Sequence, residues 1–176
     1  MFSDIHVGAV LYIRDSPSRD VLTHFARELL ADGIRVGGLV QEIHRHEQGY
    51  KARVDIIDVA TGERTILNQP TKEQRQSKTC SIDLSALSES SAVLRQAIVD
   101  KVELLVVEKF GEQEQNGSGL LHEILTAMAE GIPTLILVPE AVVAQWDEIS
   151  GGCSTHLPCD LNALRQWWHS FSNEES

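Results

Sequence analysis

Three short, nearly unbroken apolar runs, His6 to Ile13, Glu103 to Val107 and Ile132 to Val138, most narrow what this chain can fold into. A strand with no polar face has to be buried on both sides, as in the centre of a parallel sheet. Parallel neighbours need long crossovers, and the sequence between these runs carries helical spacing. After Pro17, with Ser16 or Ser18 as a cap, Val21, Leu22, Phe25, Leu29 and Leu30 recur at that spacing until Gly33. Leu84 to Val99 and Gly119 to Glu130 follow the same pattern, the second closed by Gly131.

The remaining segments complete the plan. Residues 35 to 43, RVGGLVQEI, predict a second strand, in which Gly37 and Gly38 mark a close backbone approach or a bulge. Tyr50 to Val59 and Thr65 to Leu67, joined through Thr61-Gly62, predict a hairpin. Asn68 to Thr79 is polar and holds Pro70, which predicts a surface loop able to act as a lid. A short helix over Pro139 to Ile149, a turn at Gly151-Gly152 and a last helix over Asp160 to Phe171 follow. The expected architecture is one three-layer α/β domain spanning residues 1–176, a mostly parallel sheet with helices on both faces.

Composition sets the boundaries of function. A formal charge of -11, from 26 acidic and 15 basic side chains, repels nucleic acid and anionic membranes, and no basic patch offsets it. Cys80, Cys153 and Cys159 are too few and too irregular for a disulfide framework. No apolar run approaches the roughly 20 residues that span a bilayer, and Met1 to His6 carries no basic region, so a cytoplasmic protein is expected.

Ligands of open α/β sheets bind beyond the carboxyl ends of the strands, which directs attention to two loops. The first is Arg14-Asp15-Ser16-Pro17-Ser18-Arg19-Asp20. A helix start presents unpaired N–H groups and partial positive charge, and Arg14, Ser16, Ser18 and Arg19 would reinforce an anion site there. The alternative is that the serines only cap the helix while the arginines pair with Asp15 and Asp20. The second loop is Glu108-Lys109-Phe110-Gly111-Glu112-Gln113-Glu114. A carboxylate at a strand end is where nucleotide hydrolases hold magnesium through water. The alternative there is an exposed acidic loop in which Glu108 pairs with Lys109.

The order of a strand-loop-helix start, a GxRVGGLVQE strand, a TGE turn and a VVEKFGEQE loop resembles the THEP1-like nucleoside-triphosphatase branch of P-loop proteins over most of the chain. The runs CSIDLSAL, LLVVEKFGEQEQNGSGL and GIPTLILVPE, with Trp146, Leu157-Pro158 and Trp167, more closely resemble an uncharacterised bacterial family. That family is P-loop-like and is usually encoded beside molybdate-uptake or nitrogenase genes. The resemblance implies that Arg19 falls where the phosphate-binding lysine belongs and Asp20 where a magnesium-ligating threonine belongs. It likewise puts Glu108 at the magnesium-associated acid and Lys109 at the catalytic glutamate. Asp15, Ser16, Pro17 and Ser18 replace the glycines that let a P-loop backbone wrap phosphates. Lysine, normally protonated at neutral pH, is poorly suited to deprotonating water.

Other clusters carry less. His44 and His46 alternate at the end of the second strand, but two imidazoles fall short of the three or four ligands zinc takes. Cys153, His156 and Cys159 crowd one short loop at a spacing that matches no standard zinc pattern, and Cys80 reads as a small buried residue. Trp167, Trp168 and Phe171 predict one face docked on the core, with the other indole available to a homodimer or higher homo-oligomer.

The expected function is a degenerate P-loop-like binding or accessory protein. It would hold a molybdate-like oxyanion or a nucleotide at the start of the first helix, in molybdate or metal-cofactor metabolism. Arg14, Ser16, Ser18, Arg19, Asp20, Glu108, Lys109 and Glu114 are its candidate ligand-binding residues. No catalytic residue, metal ligand or cofactor is assigned. The competing readings are a nucleoside triphosphatase with a reorganised site, in which Glu108 or Glu114 manages magnesium, and a protein-binding regulator using the fold as scaffold.

Overall fold

The computed structural model describes residues 5–13, 20–77 and 84–172. Seven strands, β1 (Val7–Tyr12), β2 (Val36–Arg45), β3 (Lys51–Asp58), β4 (Arg64–Asn68), β5 (Leu104–Val107), β6 (Thr134–Pro139) and β7 (Ser154–Pro158), form one sheet in the order β4-β3-β2-β5-β6-β1-β7. From β2 across to β7 the strands run parallel, while β3 and β4 are antiparallel additions at one edge. The α/β architecture with a mostly parallel sheet is therefore as the sequence predicts.

Alternation along the buried strands divides the core. Val7 and Ala9 of β1, with Leu105 and Val107 of β5, face one side, where α3 (Leu84–Val99) and α5 (Leu121–Ala129) pack with Trp146 of α6 (Val143–Ser150). Val10 and Tyr12, with Leu104 and Val106, face the other, where α1 (Val21–Ala31) and α7 (Leu161–Ser172) pack. Burying helices on both faces removes apolar area from water at about 25 cal/mol per Å², the main favourable contribution to such a fold. Two smaller helices are α2 (Lys72–Ser77) and α4 (Glu112–Gln115).

Gly38 has the positive φ of +117°, and a Cβ there would collide with the Val106 carbonyl oxygen of β5. The close approach expected of the glycine pair is thus a packing requirement of the β2–β5 seam.

Several expectations need correction. Residues 72–77 of the polar segment form helix α2 instead of a continuous loop, with Thr71 Oγ1 accepting from the Gln74 N–H at 3.1 Å and Gln74 Oε1 from the Thr71 N–H at 2.8 Å. This reciprocal pair satisfies donors at the helix start in the manner of a capping box. The Cys153 to Cys159 segment is not a loop either, because β7 runs through it beside β1. Helix α1 runs from Val21 with Asp20 at its N-cap position, and the start expected around Pro17 lies outside the described residues. Trp167 and Trp168 are both buried, so neither indole is left over for a partner. Cys80 lies outside the described residues, and no described helix is long and apolar enough to cross a membrane.

Candidate functional site

The strand β5 stops at Val107 while its parallel neighbour β2 continues to Arg45. That difference in length leaves β2 backbone without a strand partner on the β5 side. Glu108, buried at 3% exposure, fills the gap by accepting the Gln41 backbone N–H with its side-chain carboxylate. Its own N–H donates to the Leu39 carbonyl at 3.1 Å. The first residue beyond β5 therefore continues the ladder, once through backbone and once through side chain.

Phe110 anchors the next step. It is fully buried, donates its N–H to the Leu137 carbonyl at 2.9 Å and meets Trp146 edge-on at 5.3 Å between ring centroids. The Trp146 indole in turn donates to Ser154 Oγ at 2.8 Å. With Phe110 pinned, Gly111 starts α4, and Glu114 stands at the third position of that helix. Burial raises the Glu114 carboxyl to about 7, against the opposing effects of hydrogen bonds from its own and the Gly111 backbone N–H and of the nearby Lys109 charge. A helix-start carboxylate reaching back to the N-cap N–H is the acid half of a capping box.

Between these elements lies a cavity of about 380 Å³. Leu39, Ile56 and Leu67 from β2, β3 and β4, Val107 from β5, Leu87 from α3 and Leu120 supply apolar walls. Gln41, Glu108, Lys109, Gln113, Glu114 and Asn116 supply the polar ones. The loop after β5 is thus a wall of a cavity, with Glu108, Phe110, Gly111 and Glu114 all buried, which overturns the reading of it as an exposed acidic run.

The structure brings Glu108, Lys109 and Glu114 together at this cavity. Arg14, Ser16, Ser18 and Arg19 lie outside the described residues. Asp20 is exposed, makes no side-chain cap hydrogen bond, and places Oδ2 3.0 Å from Nε2 of His24, one turn along the same helix. The apolar walls and Gln41 were not singled out from sequence, because they come from four strands and a helix that are distant along the chain. The glycines of Asn116-Gly117-Ser118-Gly119 did offer a signal: at Gly119, with φ +62°, a Cβ would stand 2.5 Å from Glu114 Oε2.

Among the described residues the histidines and cysteines form no comparable centre. His44 Nε2 lies 2.9 Å from Asp55 Oδ2, while His46 stacks on Tyr50 beyond the end of β2. Burial acts to raise the Asp55 carboxyl, but the His44 hydrogen bond and the Arg53 guanidinium outweigh it and hold it below the usual range. His156 and Cys159 line a separate cavity at the carboxyl ends of β1 and β7, where His156 pairs with Asp147 at 2.8 Å. Among the described residues no group of three or more His, Cys, Asp or Glu side chains is placed to hold a metal.

The fold has known counterparts. A solved structure described as a human cancer-related nucleoside triphosphatase superposes with a TM-score of 0.60 over 81% of this chain and 83% of its own, at 19% identity, which shows a shared fold. A protein of Bradyrhizobium diazoefficiens named molybdenum import ATP-binding protein ModC 2 is 34% identical over 167 residues, or 95% of this chain. The match spans only 18% of that relative's length, so its name describes a much longer protein. A family model described as "Protein of unknown function (DUF2478)" matches residues 7–167, and the chain belongs to that family.

Proposed function

We propose that this protein binds a nucleotide or a small oxyanion along the carboxyl edge of its sheet, without ordinary hydrolysis, as an accessory to molybdate or related metal-cofactor handling. The observation that carries the reading of binding without hydrolysis is the carboxyl end of β5, where Glu108 is committed to the Gln41 N–H and the next residue is a lysine. Hydrolysis in P-loop folds draws on a metal-associated carboxylate together with a group that orients the attacking water. A buried Glu108 already accepting from backbone, followed by Lys109, suits binding better than that chemistry. Arg14, Ser16, Ser18 and Arg19 remain the proposed anion contacts at the start of α1, with Asp20 beside them. The molybdenum link is supported by the relative named for molybdenum import.

Equilibrium dialysis of the full chain against molybdate, tungstate, sulfate and ATP, paired with an assay of magnesium-dependent phosphate release, tests the proposal. The expected result is binding of ATP or at least one oxyanion, with no release above background. Failure of all four to bind would sink the idea.

One observation favours a second reading, a nucleoside triphosphatase or phosphotransferase with a reorganised site. Glu114, poised near neutrality in the same cavity, has the properties of a general base. Magnesium-dependent release that disappears in Glu114→Gln and in Glu108→Gln would establish that reading over the first.

A further inference from the structure

The cavity beside β5 is built for something other than an anion. Its polar lining carries three carboxylates, Glu108, Glu112 and Glu114, against one ammonium, Lys109. A phosphate or molybdate placed there meets like charge at close range, an unfavourable arrangement that low polarity strengthens. The apolar walls from β2, β3, β4 and α3 equally disfavour a bare ammonium ion, which would lose its hydration against hydrocarbon. A flat, uncharged ring with polar edges meets both conditions, since its faces contact Leu39, Leu67 and Leu87 while its edges reach the rim.

The acceptor for that edge is already positioned. Glu114 is more than nine-tenths buried, lines the cavity, and is held by the N–H groups at the start of α4. Gly119, at φ +62°, leaves room beside it, because a Cβ at that position would stand 2.5 Å from Oε2 and the Glu114 side chain would have to shift. Gln41, Gln113 and Asn116 surround the same rim.

We propose that this cavity takes an uncharged nitrogen heterocycle of the nucleoside kind, recognised through N–H donors of the ring edge that hydrogen-bond to the Glu114 carboxylate. This rests on the nucleotide-or-oxyanion reading and narrows it: the ligand is a nucleoside derivative, with any phosphate lying outside this cavity. The apolar walls select the ring by shape, and Glu114 favours bases that present donors, as the amide and amino edge of guanine does, over bases that present only acceptors there.

Titrations of the full chain at pH 8, above the value of about 7 to which burial raises Glu114, with guanosine, adenosine and uridine, followed by methyl NMR and calorimetry beside molybdate and ATP, test the proposal. Guanosine is expected to shift the methyl signals of Leu39, Leu67 and Leu87, and Glu114→Gln to weaken its binding by about tenfold or more. Gly119→Ala, verified as folded by circular dichroism, is expected to weaken guanosine in the same way. Nucleosides that leave those methyls unmoved, or bind Glu114→Gln as tightly as the parent, overturn the proposal. If molybdate or ATP binds while every nucleoside fails, this inference falls and the broader function stands. If none binds, both fall.

Discussion

At Glu114, burial raises the carboxyl from an ordinary 4.5 to about 7, so the folded chain holds a proton that the unfolded chain releases. Stability from that proton is fully present below about pH 4.5 and is lost as pH rises through about 7, to the extent of roughly 3 kcal/mol. Glu114→Gln removes the ionisation. It is expected to match the parent near pH 4.5 and to exceed it by about 2–3 kcal/mol at pH 8, measured by urea unfolding at the two pH values. Glu108 plays a different part, since its carboxylate is the acceptor for a backbone donor. Glu108→Ala leaves the Gln41 N–H without that acceptor and is expected to cost about 1–3 kcal/mol, whereas Glu108→Gln keeps an oxygen there and costs less. The difference between the two variants in urea midpoint separates a structural carboxylate from a dispensable one. Neither role is legible from the letters VVEKFGEQE, because a charged residue after a strand reads as solvated until something is known to cover it.

Elements whose sequence repeats a period over many residues are found where that period puts them. The helix over Leu84–Val99 and the strand Lys51–Asp58 lie within a residue of their expected bounds. Short elements behave differently, because four or five residues hold too little pattern and depend on neighbours for stability. Helix α4 exists because Phe110 is pinned and Glu114 reaches back to Gly111, while Gln145 Nε2 donates to the Gln115 carbonyl at 2.8 Å. Strand β7 exists because β1 offers it an edge, from Val7 beside Ser154 to Leu11 beside Pro158. The seam between β2 and β5 makes the sharpest prediction at this scale. Gly38→Ala forces a side chain into the Val106 carbonyl at a φ only glycine adopts with ease, and is expected to lower stability by about 3 kcal/mol or more. Thermal unfolding checks the magnitude, and faster amide exchange over Val36–Leu39 locates the damage at the seam.

For the molecule as a whole, the sheet order brings the ends of β2 and β5 together and surrounds them with β3, β4 and α3. A ligand that binds only this folded arrangement stabilises it by mass action, by about 2.7 kcal/mol at a hundredfold excess over its Kd. Under the proposed function, ATP or guanosine at such an excess is expected to raise the unfolding temperature, and to do so less in Glu114→Gln. A thermal scan with and without each compound makes the comparison, and an equal rise in both proteins would detach the shift from this cavity. The net charge of -11 also gives the oxyanion reading a salt signature, because screening weakens repulsion between protein and anion.

The sequence by itself determined which segments cross the core, since an apolar run with no polar face has nowhere else to go, and it placed Glu108 at the end of such a strand. It also carried the family resemblance over most of the chain and marked Gly37 and Gly38 for a close approach or a bulge, of which Gly38 makes the close approach. Only the tertiary structure decided that β2 outruns β5 and that Glu108 turns inward to close the gap. It also decided that Leu39, Leu67 and Leu87, far apart along the chain, wall the cavity into which Glu114 is packed. Burial is the physical reason for that division. Whether a carboxylate sits in water or against hydrocarbon depends on which distant residues come to cover it, and local spacing holds no record of them.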